Sequence, residues 1–169
     1  MLPPPPIRGL FRTDLRARAA YAEGAGIFRI LPAAVCVPRD REDVASLAHW
    51  AAAHRVALVP RGAGSAMGGG NVGDGIVVDL TALPRRFEVE GRERRARASA
   101  SVTLADLNVA ADRAGLRLPP DPSSGRWATL GGMIATNAAG ARTVRYGSVR
   151  RWLDAVELVT ASSQRRTLP

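Results

Sequence analysis

The chain has 169 residues, of which 46% are hydrophobic, so it is long enough for one ordinary domain or two small lobes with a buried core. All 24 basic residues are arginine and the formal net charge is +9, which taken alone would suit a nucleic-acid partner. The arginines are scattered, and no aromatic side chains interleave with them as stacking platforms, so we expect no nucleic acid to bind.

The sequence carries no signal for a membrane or for export. No apolar run approaches the roughly 20 residues that cross a bilayer, and the first residues lack the basic and apolar blocks of a signal peptide. The single cysteine, Cys36, excludes an intrachain disulfide and is typical of a reducing compartment. We therefore expect a cytoplasmic protein, either free or peripheral to the inner face of the membrane, without a transmembrane segment.

The first half of the chain predicts a helical lead-in followed by a small lobe. Residues 1–32 form the lead-in, because Leu15 and Ala22 recur at helical spacing between Asp14 and Ile30. Residues 33–84 form the first lobe, with a βαβ order of elements. Its predicted elements are the strand 33–37, a helix that Asp40 caps and that ends near His54, and the strands 56–59 and 76–80.

The second half, residues 85–169, predicts another lobe with a different pattern. Thr103 is placed to cap a helix that Gly115 ends. The predicted elements are two strands at 87–90 and 96–100 joined by a charged turn, the helix 104–114, and a final strand at 153–160.

Two glycine-rich segments are the most informative feature of the sequence. The first runs from Pro60 to Gly70 between two predicted strands, and the second runs from Gly131 to Gly140. Glycine turns let a ligand approach the backbone because no Cβ is in the way, and consecutive amides form concave sites for phosphate groups. Together with the stiff turn at Pro119–Ser124, the two segments predict a nucleotide cofactor site.

Each segment also has an ordinary interpretation. The first loop is compatible with a plain glycine-rich connection, the proline turn with a surface turn, and the second segment with tight helix packing. A phosphate loop of the Gly-x-x-x-x-Gly-Lys-Ser/Thr type is excluded because the chain has no lysine. A Rossmann fingerprint is excluded because Gly62–Gly64 and Gly68–Gly70 miss its spacing and a strand follows them.

Other chemistry has little support in the sequence. His49 and His54 are five residues apart on a predicted helix and so do not share a face as metal ligands. Cys36 lies on a predicted strand, where a packing role is the default. We expect no metal site, and no residue stands out as a catalytic nucleophile or base.

The motifs, taken in order, resemble the FAD-binding domain of the vanillyl-alcohol oxidase/PCMH superfamily. Within that superfamily the resemblance is to FAD-linked oxidases of the glycolate oxidase and D-lactate dehydrogenase type. It covers Leu15 to Thr160. It rests on eight blocks in the family's order: Tyr21–Pro32, Val35–Pro38, Pro60–Ser65, Val77–Leu80, Val102–Leu107, Pro119–Ser124, Gly131–Gly140 and Tyr146-Gly147.

The resemblance implies a fold and an activity. The implied fold is α+β, of the PCMH-type FAD-binding kind, with a small parallel-stranded lobe and a larger antiparallel lobe that is incomplete here. The implied activity is oxidation of a 2-hydroxy acid of the lactate or glycolate type by hydride transfer to FAD. Covalent members of the family often carry a histidine in the first loop, and Ser65 to Gly70 offer none, so non-covalent FAD is expected.

The resemblance also implies which residues contact the cofactor. They lie in the first loop, the proline turn, the second glycine segment and the Tyr146-Gly147 pair. They are Pro60, Arg61, Gly62, Ala63, Gly64, Ser65, Gly68, Gly69, Pro120, Asp121, Pro122, Ser123, Gly131, Gly132, Ala135, Thr136, Asn137, Gly140, Tyr146 and Gly147.

Family members continue past this point with a substrate domain that supplies the catalytic base, so no catalytic residue is assigned here. We expect this chain to be the FAD-binding portion of an oxidoreductase, inactive alone and completed by a C-terminal substrate domain or a partner subunit. The alternative is a non-catalytic flavin-binding fragment or subunit that needs a partner chain to complete its site. A third interpretation is a degenerate fragment that folds without binding a ligand.

Overall fold

The computed structural model describes residues 3–169, which divide into two compact units. The first unit comprises the described residues up to Leu83 together with Asp154–Pro169, and the second is Pro84–Leu153. The chain thus enters the second unit close to the lobe boundary predicted near Pro84, and it returns to the first unit after Leu153. The lobe bounds 33–84 and 85–169 remain predictions from the sequence.

Eight strands and five helices make up the described chain. In order they are β1 (Leu10–Arg12), α1 (Leu15–Ala20), β2 (Ala34–Val37), α2 (Arg41–His54), β3 (Leu58–Arg61), β4 (Ile76–Asp79), β5 (Phe87–Glu90), β6 (Arg95–Ala98), α3 (Leu104–Asp112), α4 (Leu130–Ala135), α5 (Thr143–Tyr146), a 3-10 turn at Val149–Trp152, β7 (Val156–Val159) and β8 (Arg165–Leu168).

A four-stranded sheet with the order β1-β2-β4-β3 organises the first unit. β4 pairs in parallel with both β2 and β3, placing Val77 opposite Val35 and Val59, while β1 is antiparallel at one edge. Helix α2 packs Leu47 and Trp50 against the sheet. β7 and β8 form a separate antiparallel hairpin in this unit.

The centre of this sheet is apolar because parallel strands are normally covered on both faces. All of β4 except Asp79 is buried, and so are the first three residues of β2. Cys36 is completely buried, and burial, together with the nearby charge of Asp43, raises its pKa to about 12. This thiol therefore packs in the core and is not poised for thiolate chemistry.

The start of α2 holds the N-terminal segment through a buried carboxylate. Asp40 caps the helix by accepting a hydrogen bond from the Asp43 amide at 3.0 Å. Asp43 is 3% exposed and accepts hydrogen bonds from the backbone amides of Arg8, Gly9 and Arg39 at 2.8–2.9 Å. Because three backbone amides donate to this one side chain, Asp43 holds the segment that leads into β1 against the start of α2.

Asp43 is expected to make the stability of the first unit depend on pH. Burial alone raises its pKa, but the amides of Arg8, Arg39 and Gly9 and the charge of Arg8 outweigh burial, so the pKa of Asp43 is lowered. A carboxylate with a lowered folded pKa stabilises the fold above its unfolded pKa of about 3.9, and this contribution is lost as pH falls through the folded pKa.

We expect Asp43→Asn to reduce the free energy of unfolding at neutral pH by about 1–3 kcal/mol, because the amides lose a charged acceptor. Urea unfolding at several pH values is the measurement, and the variant should lose less stability than the wild type on acidification. Glu42→Gln, at the exposed neighbouring position, is the control. Equal acid sensitivity of Asp43→Asn and the wild type would show that this carboxylate is not the cause.

The second unit joins a hairpin to two capped helices. β5 and β6 pair antiparallel, with Phe87 opposite Ala98. Thr103 caps α3 and Thr129 caps α4, and the two caps are themselves joined by an isolated bridge. Apolar side chains of both helices form one core cluster: Val102, Leu104, Leu107, Ala128, Leu130, Met133 and Val149.

The predicted α+β class is confirmed, and the bounds of several elements need correction. The lead-in helix was expected within 14–30, broken at Gly24 and Gly26, but it already ends at Ala20, because the next residues make contacts within the first unit: the Ala25 amide donates to the Gly64 carbonyl and a bridge joins Glu23 to Arg29. The strand expected at 56–59 is Leu58–Arg61. The final strand is Val156–Val159, shorter than the predicted 153–160. The second glycine segment begins as the helix α4, so the packing interpretation holds for that part of it.

Candidate cofactor-binding site

The first glycine loop leaves β3 at its carboxyl end and returns as β4. These two strands are parallel neighbours, a connection that usually contains a helix. Residues 62–75 are all described, and none of them is helical. Pro60 and Arg61 are the last residues of β3, so the predicted loop begins at the edge of a parallel sheet where α/β proteins commonly place ligands.

Two glycines give this loop its shape. Gly64 has φ +75° and is buried, and its carbonyl accepts a hydrogen bond from the Ala25 amide at 3.0 Å. Gly69 has φ +80°, and a Cβ there would lie 2.6 Å from the ring of Phe28. Both positions need glycine because L side chains rarely adopt this backbone conformation.

The outer part of the loop is open. Gly68 and Gly70 are exposed, and a Cβ at either position would meet nothing within 4 Å. Ser65 is half-buried, while Gly62 and Ala63 sit between it and β3. The loop therefore offers bare backbone on an accessible side, which fits the close approach of a pyrophosphate.

Arg61 supplies positive charge next to Gly64 of the loop. A Cβ at Gly64 would lie 2.6 Å from Nη2 of this side chain, while Nη1 donates to the Asn71 carbonyl at 3.2 Å. The guanidinium carbon stands 5.4 Å from the centre of the Tyr21 ring. Within residues 3–169 no carboxylate forms an ion pair with Arg61, so its charge is available to an anion.

Sequence reasoning missed a polar group beside Arg61. The Tyr21 hydroxyl donates to Oδ2 of Asp79 at 2.6 Å, and Oδ1 of Asp79 accepts from the amide and hydroxyl of Thr81 at 2.9 and 2.6 Å. Burial raises the pKa of Tyr21 to about 12, helped by the hydrogen bond and charge of Asp79, so the phenol remains a donor. No sequence pattern links residues 58 positions apart, although both lie in motif blocks.

In the second unit, the proline turn and the end of the second glycine segment lie together. A Cβ at Gly140 would overlap the Asp121 carbonyl and lie 2.7 Å from the Pro122 nitrogen. Arg142 also pairs with Asp121, with Nε 3.3 Å from Oδ2. Pro120 is buried and Ser123 exposed. The structure thus joins two segments that the sequence related only by order.

The start of the second segment is packed as well as glycine-rich. The Gly131 amide donates to the Ala100 carbonyl at 3.0 Å, and a Cβ at Gly131 would lie 2.7 Å from that of Ala100. Gly132 donates its amide to the capping Thr129 hydroxyl at 3.3 Å. These two glycines permit close helix packing, whereas the roles of both in cofactor binding stay predictions.

The polar residues of the second segment make hydrogen bonds within the second unit. The Thr136 hydroxyl donates to the Gly132 carbonyl at 2.9 Å, which stabilises its own turn. Oδ1 of Asn137 accepts from the Arg150 amide at 3.2 Å, which joins the segment to the 3-10 turn. Ala135, Thr136 and Asn137 are nevertheless exposed and accessible to a ligand.

The predicted Tyr146-Gly147 pair ends α5. The Trp152 indole donates to the Tyr146 carbonyl at 3.0 Å, and Gly147 has φ +73°. The side chain of Tyr146 borders an open surface depression, lined also by Ala141, Arg142, Val144 and Arg145.

Residues 3–169 contain no group of three or more His, Cys, Asp or Glu side chains that could hold a metal ion. In the same range, every helix is too short or too polar to cross a bilayer.

Comparison with known proteins identifies the relatives of this chain. Residues 32–168 match the family described as FAD binding domain. The chain is 37% identical over 147 residues to D-2-hydroxyglutarate dehydrogenase of Pseudomonas putida, covering 85% of this chain and 15% of that protein. It is 38% identical over 132 residues to D-lactate dehydrogenase of Archaeoglobus fulgidus, covering 77% and 29%. The chain therefore spans less than a third of the length of either relative.

A solved structure shows the same fold. The chain superposes on 6-hydroxy-D-nicotine oxidase from Arthrobacter nicotinovorans with a TM-score of 0.79 and 23% identity, over 99% of this chain and 37% of that one. At this identity the likeness concerns the fold alone. The predicted PCMH-type fold and the predicted family resemblance are both confirmed.

Proposed function

Since this chain belongs to the FAD binding domain family, we propose that it holds FAD non-covalently as the cofactor-binding part of an oxidoreductase acting on 2-hydroxy acids. The observation that carries the proposal is the first glycine loop, which follows β3 without a helix, is open at Gly68 and Gly70, and has the Arg61 guanidinium against Gly64. This arrangement suits a pyrophosphate, the anionic group common to dinucleotide cofactors.

The groups proposed for the pyrophosphate lie in the first unit, where the amides of Gly62 to Gly69 and the charge of Arg61 would hold it. The second unit carries the exposed Thr136 and Asn137 and the turn at Asp121, which are neutral and acidic hydrogen-bonding groups. When bound, FAD supplies a two-electron acceptor for a hydride equivalent, and the protein supplies binding and orientation.

The substrate class rests on the relatives. Both are named as dehydrogenases of D-2-hydroxy acids, which supports a small 2-hydroxy acid as the substrate of the complete enzyme. Because the chain spans less than a third of either relative, we propose that a substrate domain or a partner subunit supplies the catalytic base and that this chain alone is inactive. A cytoplasmic location, free or at the inner face of the membrane, remains our proposal; the buried thiol of Cys36 is compatible with it.

Two readouts on FAD-loaded protein test this function. Acid precipitation should release the flavin into the supernatant, and flavin that stays with the polypeptide would contradict non-covalent binding.

The substrate class is tested by adding D-lactate, glycolate and D-2-hydroxyglutarate to the FAD-loaded protein without oxygen. Each should bleach the flavin absorbance bands only when the substrate domain or partner subunit is present. Propionate, which lacks the hydroxyl group, is the control for lactate. Failure of every hydroxy acid with the complete protein would contradict the substrate class.

A further inference from the structure

We propose that Tyr21 is a positioning residue of the cofactor site: by engaging Asp79, it keeps the Arg61 cation free of an ion pair and seated under the first glycine loop. The inference rests on the proposed function, since it concerns how this loop is prepared for a pyrophosphate. It assigns Tyr21 and Asp79 roles that neither the motifs nor the family match supplies.

Arg61 and Asp79 are neighbours in the sheet. They are directly paired in the parallel register of β3 and β4, and the Arg61 carbonyl accepts the Leu80 amide at 2.9 Å. A cation and a carboxylate at adjacent positions of paired strands would ordinarily attract each other. Within the described chain, however, Arg61 forms no ion pair with Asp79 or with any other carboxylate.

Both oxygens of Asp79 already have hydrogen-bond donors. Tyr21 occupies Oδ2 and Thr81 occupies Oδ1 with its amide and hydroxyl. These donors are neutral, so the carboxylate has its hydrogen bonds without pairing with a cation. Asp79 is half-buried, which makes these hydrogen bonds worth more than in open solvent.

The same tyrosine holds the guanidinium in place. Its ring lies beneath the Arg61 side chain, with the guanidinium carbon 5.4 Å from the ring centre. The Nη2 atom of Arg61 is also close to Gly64, where a Cβ would be 2.6 Å away. Ala25, four residues after Tyr21, donates its amide to the Gly64 carbonyl, so the segment that carries Tyr21 also clamps the loop.

The consequence is a site that needs little rearrangement before an anion binds. A guanidinium that is already in position and forms no ion pair has no ion pair to break and loses little side-chain freedom when the anion binds, which favours affinity. If the Tyr21 hydroxyl is removed, Oδ2 of Asp79 becomes free to pair with Arg61 and to draw the charge away from the loop.

FAD titrations on the wild-type chain and four variants test this inference. We expect Tyr21→Phe to weaken FAD binding by roughly five- to tenfold, the size of a modest electrostatic contribution, and to flatten the dependence of Kd on salt. Adding Asp79→Asn to it should restore Kd to within about twofold of the wild type, because an amide forms no ion pair. Asp79→Asn alone, which keeps an acceptor for Tyr21, should bind FAD as well as the wild type. Trp127→Leu, which removes an exposed ring stacked with Arg126, is the control and should leave Kd unchanged.

The possible outcomes are distinct. A wild-type chain that binds no FAD contradicts the proposed function, and this inference with it. If the wild type binds FAD, an unchanged Kd in Tyr21→Phe, or a double variant as weak as the single one, overturns the positioning role alone. Should Tyr21→Phe prove unstable by thermal melting, weakened binding in Asp79→Asn would overturn it equally.

Discussion

Gly64→Ala is expected to weaken FAD binding by at least tenfold while leaving the first unit folded. The backbone at Gly64 has φ +75°, where an alanine costs on the order of 1–2 kcal/mol. Its Cβ would also lie 2.6 Å from Nη2 of Arg61. The guanidinium is the far end of a flexible side chain, so it can move away from the new Cβ. We therefore expect the Arg61 charge to be displaced from the loop while the first unit stays folded.

Gly70→Ala is the matched control in the same loop. Gly70 is exposed, it lies just after the Gly62 to Gly69 amides proposed for the pyrophosphate, and a Cβ there would meet nothing within 4 Å, so the change should alter neither the fold nor FAD binding. Flavin fluorescence titration of both variants gives the comparison, with thermal melting to show that each is folded. Equal Kd values for Gly64→Ala and Gly70→Ala would mean that the pyrophosphate does not depend on this part of the loop.

Gly140→Ala is expected to destabilise the second unit by about 3 kcal/mol or more, in the range of severe overpacking. The new Cβ would overlap the Asp121 carbonyl and lie 2.7 Å from the Pro122 nitrogen. These are backbone atoms of a turn stiffened by proline, so no side chain can rotate away to make room.

Urea unfolding measures this effect. Ala139→Ser, at the exposed neighbouring position, should change the free energy of unfolding by less than about 0.5 kcal/mol. A Gly140→Ala protein as stable as Ala139→Ser would show that the turn and the glycine segment are not in contact as described.

Elements with local signals were predictable from the sequence. Helix α2 starts after Asp40 and ends at His54 as expected, and α3 starts after the predicted cap Thr103, because a capping side chain and apolar periodicity are both local. The same reasoning overextended α1, since its continuation past Ala20 is decided by contacts with distant residues.

The parts of the site that escaped prediction depend on long-range contacts. Glycine content marked Gly64 and Gly140, but only the fold shows that one faces Arg61 and the other the Asp121 turn. The pairing of Tyr21 with Asp79 joins an N-terminal turn to the end of β4, and no periodicity or motif spacing encodes it. The order of the motifs in the sequence indicated the family, whereas the contacts among Tyr21, Asp79 and Arg61 near the first glycine loop became visible only in the structure.

Titration of the purified chain with FAD and, in parallel, with riboflavin tests whether the first loop holds a pyrophosphate. The proposed site predicts saturable binding of one FAD per chain and much weaker binding of riboflavin, because riboflavin lacks the pyrophosphate that the first loop is proposed to hold. Absence of FAD binding, or equal affinity for the two flavins, would contradict it.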